Sequence, residues 1–151
     1  MSSTSRQVSD SRVIAASAAD IFNVLADPSK HREFDGSGSL IAAQGNPPRL
    51  QMGSKFGMKM KIGLPYTMKN TVVEFEEGRQ IGWRHIGRHI WRYELEAVDG
   101  GTKVTETFDW APALSPWMIE KTGSPKKNLA SIEKSLERLD AYVTGGAASG
   151  N

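Results

Sequence analysis

The chain has 151 residues, with 19 lysines and arginines against 17 aspartates and glutamates, a formal net charge of +2. That length suits one domain, residues 1–151, with a core of its own, and so even a balance excludes a strong field steering nucleic acid or acidic membranes toward it. The chain has no cysteine, which excludes a disulfide framework and thiolate ligation of zinc or iron–sulfur clusters and suits a reducing, cytoplasmic compartment.

Met1 to Asp10 is Ser-rich and polar, without the apolar stretch a secretory signal needs. No run reaches the roughly 18 apolar residues of a membrane span. Residues 1–6 and the tail 145–151, GGAASGN, have nothing to pack and are expected to be disordered. A first strand covers Gln7 to Ala15. Ser17 is then placed to cap a helix, with Asp20 in its first turn and Ile21, Phe22 and Leu25 on one face. Asp27-Pro28 opens a second short helix to about Phe34, which ends at Asp35-Gly36-Ser37-Gly38. A second strand, Leu40 to Ala43, leads into a loop containing Pro47-Pro48.

From Gly53 the pattern has a period of two. Phe56, Met58, Met60 and Ile62 alternate with Gly57, Lys59 and Lys61 in the third strand. Gly63-Leu64-Pro65 is read as a turn, and Tyr66 to Glu76 as the fourth strand. After Glu77-Gly78, the fifth strand sets Ile81, Trp83 and His85 on one face. The sixth sets His89, Trp91, Tyr93 and Leu95 opposite Arg92, Glu94 and Glu96. Asp99-Gly100-Gly101 turns into a last strand with Val104, Glu106, Phe108 and Trp110 inward. Opposed residues of an antiparallel pair share a face. A two-residue turn Gly87-Arg88 separates Trp83 and Trp91. A three-residue loop Ile86-Gly87-Arg88 pairs His85 with His89 and keeps the tryptophans together, and this is the reading the pattern prefers.

Beyond Trp110 the period becomes helical. Ser115-Pro116 opens a short segment, Trp117 to Lys121, and Ser124-Pro125 a long helix. Leu129, Ile132, Leu136, Leu139 and Val143 form its apolar stripe. The order predicts an α+β fold in which a curved antiparallel sheet of about seven strands wraps the long C-terminal helix, with two short helices after the first strand. The inward face is oddly mixed. Methionines, aromatics, imidazoles and one acid suit a cavity wall better than a packed core.

The stretch SRVIAASAADIFNVLADPSKHREFDGSG, the turn EEGRQIGW and the ending GGTKVTETFDW resemble the START-like helix-grip superfamily, in its SRPBCC, polyketide cyclase/dehydrase-like branch. The resemblance runs from about Gln7 to Thr144. It implies a deep hydrophobic pocket between sheet and long helix, and does not by itself give a reaction.

The expected wall comprises Met58, Met60, Trp83, Trp91, Tyr93 and Phe108, with Leu129, Ile132 and Leu136 from the long helix. Glu106, His85 and His89 are candidates for a polar anchor at one end of the cavity, and for catalysis if any occurs. Glu106 is the most telling, because burying an unpartnered carboxylate costs several kcal/mol. Counting across the last hairpin sets it near Tyr93. Asn70 is a further candidate, although the poor alternation of its strand leaves its face open. Three loop-like segments, Asp35 to Gly38, Gly63 to Pro65 and Pro112 to Gly123, are expected to ring an opening, with Trp117 and Met118 over it.

Two histidines and an acid match a facial metal triad by type only. There is no supporting spacing, His31 is expected to lie far off on its helix, and no metal or other cofactor is expected. Glycine-rich phosphate loops and G-x-S-x-G elbows are absent from the sequence. Arg84, Arg88 and Arg92 make a small basic patch, but Glu94 and Glu96 on the same face dilute it, against nucleic-acid binding. Two function classes stay open. One is a carrier or sensor, monomeric or homodimeric, for a hydrophobic, ring-bearing molecule of lipid or polyketide type. The other is a polyketide cyclase, aromatase or dehydrase using inward acid/base groups.

Overall fold

Seven alternating segments broken by glycine turns leave the chain one apolar sheet face to bury, and the architecture answers that need. The computed structural model describes residues 6–37, 40–45 and 47–145. Strand β1 (Gln7–Ile14) is followed by helix α1 (Ala18–Leu25) and by a 3₁₀ turn (Pro28–Lys30) running into α2 (His31–Phe34). Then come β2 (Leu40–Ala43), β3 (Lys55–Ile62), β4 (Leu64–Glu76), β5 (Gln80–Arg84), β6 (Ile90–Val98) and β7 (Gly101–Asp109). Helices α3 (Pro116–Lys121) and α4 (Ser124–Thr144) complete it. The strands form one antiparallel sheet in the order β1-β7-β6-β5-β4-β3-β2. This is the helix-grip arrangement of sheet and long helix.

The local signals act as their chemistry requires. Ser17 Oγ accepts the Asp20 amide at 3.1 Å, and Asp27 Oδ1 accepts the Ser29 amide at 3.0 Å, so both short helices start on a side-chain cap. At α4 the start differs from expectation. Gly123, at φ +78°, is the capping residue, and Ser124 and Pro125 lie inside the first turn. A left-handed residue is needed to reverse the chain out of α3, and glycine supplies it without strain. The turn between β3 and β4 is also tighter than expected, with Gly63 alone at φ +75° and the strand resuming at Leu64. Pro65 is tolerated in that strand because β5 pairs β4 only as far as Thr71, leaving residues 64–70 with a neighbour on one side.

Helix α4 buries Ile132, Leu136 and Leu139 and packs along β1 and β7, at one side of the sheet. Helix α2 wedges between α4 and β2. A close approach fixes that wedge: Gly36 donates its amide to Ser135 Oγ at 2.8 Å, and a Cβ at Gly36 would collide with the Ser131 carbonyl and the Ser135 amide. With α4 over β1 and β7 rather than centred, the inner faces of β3 to β6 are not filled by its apolar stripe.

On the outer face Arg92 meets Glu74 in a two-pronged pair, at 2.6 and 2.8 Å, and reaches Asp109 at 3.2 Å. The expected basic patch is therefore reduced from within its own strands. Arg6, expected to be disordered, has its carbonyl bonded by the Trp110 amide and its guanidinium 3.0 Å from Glu120. Gly145 closes α4 at φ +75°. Residues 1–5 and 146–151, and Gly38 of the expected opening, lie outside the described residues. Among the described residues no helix is long and apolar enough to cross a membrane.

Candidate functional site

Between the inner face of β3–β6 and the α2–α4 side lies a pocket of about 290 Å3. Its floor is the sheet. Phe56, Met58 and Met60 line it from β3, and Tyr66, Met68 and Asn70 from β4. Trp83 and His85 follow, then His89, Trp91 and Tyr93, with Glu106 from β7. Opposite stand His31 and Phe34 of α2, Asp35, Ser37 and Leu40 after it, and Asn128, Ser131 and Ser135 of α4.

The register explains how these side chains meet. Trp83 and Trp91 are directly opposed, and the β5–β6 loop has three residues, Ile86 to Arg88. His85 donates its amide to the His89 carbonyl at 3.2 Å, so the two histidines face each other with ring centroids 4.8 Å apart. The loop closes because Arg88, at φ +73°, takes the left-handed conformation. Burial pushes the His85 imidazole down to about 3, helped by its neighbour His89, and lowers His89 as well. Both are neutral at physiological pH.

Glu106 sits across from Tyr93 on β6 and is almost wholly buried. Burial pushes its carboxyl up to about 8, against a hydrogen bond donated by the Tyr93 phenol, and Asp35 adds to the rise. The same burial and the acid beside it raise the phenol well above its ordinary value. Among the described residues, four buried side-chain polar atoms have no hydrogen-bond partner: Asn70 Oδ1, His85 Nδ1, His89 Nδ1 and Glu106 Oε1. All four belong to pocket-lining residues. Such atoms are rare in folded proteins because each forfeits its bond to water, and here they gather around one pocket.

Nine of the side chains singled out from sequence come together here: Met58, Met60, Asn70, Trp83, His85, His89, Trp91, Tyr93 and Glu106. Six do not. Phe108 lies beneath the wall, its ring centroid 4.9 Å from that of Trp91 and 5.5 Å from that of Trp110. Ile132 and Leu136 are buried in the core on α4, which packs along β1 and β7, and Leu129 does not border the pocket. The pocket is met instead by Asn128, Ser131 and Ser135, each one position earlier and hence turned by about 100° around the helix. Trp117 is 58 % exposed and Met118 49 %, and neither borders the pocket. The loop before α3 is tied to the β5–β6 hairpin, the Leu114 amide donating to the Gly87 carbonyl at 3.0 Å.

Two further expectations are corrected. Glu106 does not converge with the histidines, since the register sets it four residues along β6 from His89. Nor is His31 remote. Its ring stacks on Trp83 at 4.9 Å and donates Nε2–H to the Leu25 carbonyl at 2.8 Å, and burial holds it neutral with its pKa down to about 4. The spacing of Asn128, Ser131 and Ser135 is itself a helical stripe, the one sequence signal that could have revealed the polar side of the pocket.

The family model for "polyketide cyclase / dehydrase and lipid transport" matches residues 5–144. The chain belongs to this family. A relative, the uncharacterized protein Rv0088 of Mycobacterium tuberculosis, is 42 % identical over 93 % of this chain and 66 % of that protein. The chain thus spans somewhat under two thirds of that relative's length. Among solved structures it is similar to protein NE0264 of Nitrosomonas europaea, with a TM-score of 0.74 at 12 % identity over 96 % of this chain and 98 % of the other. The AHSA1-like protein of Aeromonas hydrophila superposes with a TM-score of 0.63 at 14 % identity, over 92 % and 94 %. At such identities the likeness is one of fold.

Proposed function

We propose that this chain binds a hydrophobic, ring-bearing small molecule, of lipid or polyketide type, as a cytoplasmic carrier or sensor. The observation that carries the reading is a pocket walled by tryptophans, methionines and phenylalanines that also holds four unpartnered polar atoms. Apolar walls supply affinity, and a few fixed polar groups supply orientation. Met58, Met60, Trp83, Trp91 and Tyr93 are the apolar contacts of this reading, and Glu106, His85 and His89 its polar ones. Native mass spectrometry of freshly purified protein tests it. The expected result is an added mass of a small organic molecule that is lost on denaturation, and a bare chain that also ignores added flat aromatic compounds speaks against it.

A catalytic reading has one observation in its favour. The Glu106 carboxyl exchanges its proton near neutral pH, as an acid/base group beside a substrate carbonyl must. His85 and His31 do not share this property, because burial holds both imidazoles neutral. A cyclase or dehydrase of this kind loses turnover on Glu106→Gln while retaining its substrate affinity within a few fold.

A further inference from the structure

The unpartnered atoms of the pocket occupy two separate places. One residue beyond the last β4–β5 pair, Thr71 with Arg84, stand Asn70 and His85, and His85 is bonded across the hairpin to His89. These three form a polar row at the hairpin end. Glu106 and Tyr93 form the other, four residues further along β6, or about 13 Å of strand at roughly 3.3 Å per residue. Between them on β5 and β6 lie Trp83 and Trp91, directly opposed. The α4 side repeats the division. Ser135 Oγ accepts the amide of Gly36, next to the Asp35 that acts on Glu106. Asn128 lies seven residues before it, about 10 Å nearer the start of the helix.

Resting on the binding reading above, we infer that the ligand is a flat, elongated ring compound with a hydroxyl at the Asn70 end, which the Asn70 oxygen needs as a donor, and a hydroxyl or carbonyl oxygen at the other. One oxygen meets Glu106 and Tyr93, the other meets Asn70, His85 and His89, and the rings lie on the two tryptophans. A molecule with one polar end leaves either one or three of these four buried atoms unpaired, whereas a two-ended one reaches both rows. Neutral imidazoles and a neutral carboxyl each offer both a donor and an acceptor, so the site takes uncharged oxygen functions rather than anions.

The test uses three probes of one shape: trans-stilbene, its derivative with a single para-hydroxyl, and its derivative with a hydroxyl at both para positions. Quenching of tryptophan fluorescence reads their affinities for the intact chain. Affinity is expected to rise at each step by about fivefold, the worth of one net hydrogen bond. Asn70→Leu combined with His85→Phe should cancel the second step, so that the probes with one and two hydroxyls bind the variant equally. Equal affinity of the two hydroxylated probes for the wild-type chain, with stilbene itself bound, overturns the two-ended ligand and leaves the binding reading standing. So does a second step that survives the double substitution. Failure of all three probes to bind the wild-type chain overturns the binding reading itself, and this inference with it.

Discussion

Tyr93 and Glu106 stand directly opposite each other on β6 and β7, phenol against carboxyl, in the wall of the pocket. The phenol donates a hydrogen bond to the acid, yet burial outweighs it and the carboxyl stays protonated up to about pH 8. The pair is thus uncharged at neutral pH. Its environment is set by burial, by the contact between the two groups and by Asp35 beyond α2. An uncharged pair is compatible with an apolar ligand, where a fixed carboxylate would repel it.

The pH dependence of stability follows. Glu106 binds its proton more tightly folded than unfolded, so its contribution is fully present below pH 4.5 and is lost as pH rises toward 8. His31 and His85 run the other way. Their folded values, about 4 and about 3, lie below 6.5, so stability falls as pH drops from 6.5 toward those values. Together these place the maximum near pH 6.5. From there to pH 8 the loss due to Glu106 should be about 2 kcal/mol. Thermal melts across this range should show the decline in the wild type and its absence in Glu106→Gln. A decline that persists in the variant assigns it to another group.

Asn70 tests whether its unpartnered oxygen strains the empty protein. Asn70→Leu keeps the volume and removes the buried orphan, and should raise stability by about 1 kcal/mol in urea unfolding of ligand-free protein. A destabilised variant would show that Asn70 is already satisfied.

Arg92 carries the outer face. It is nearly buried and shared between Glu74 and Asp109. Arg92→Ala strands two carboxylates and should cost about 2 kcal/mol, read as a lower urea midpoint at unchanged slope. Ligand affinity should not move, since the cluster lies on the face away from the pocket. A large change in affinity with little change in midpoint would reverse that assignment.

Trp117, exposed on α3, should be replaceable by alanine with no more than about 0.5 kcal/mol change in stability. Probe binding should be unaltered, because the indole does not border the pocket. A clear loss of probe affinity in Trp117→Ala would restore α3 as a cover.

Much of this was readable from sequence because strand alternation carries both face and register. The parity of a single loop, Ile86 to Arg88, was enough to place His85 against His89 and Trp83 against Trp91. Counting back across the Asp99-Gly100 hairpin placed Glu106 near Tyr93. What escaped was set by packing between elements. The rotation of α4 depends on which strands it lies against, so its apolar stripe was legible while the identity of the pocket-facing stripe was not. His31 escaped for a similar reason. Nothing in a four-residue helix says that its first residue stacks on a tryptophan 52 positions away, a contact created by the wedge of α2 between α4 and β2. Trp117 and Met118 looked purposeful because large apolar residues off any stripe invite a role, yet such residues are also common on surfaces.

The four tryptophans make the central claim directly measurable, since each indole N–H gives its own resonance. Trp83 and Trp91 line the pocket; Trp110 is bonded to Glu120 outside it, and Trp117 is on the surface. On titration with monohydroxylated stilbene, the indole signals of Trp83 and Trp91 should shift and saturate together while those of Trp110 and Trp117 stay in place. A shift confined to Trp117, or no shift at all, would contradict binding between sheet and helix.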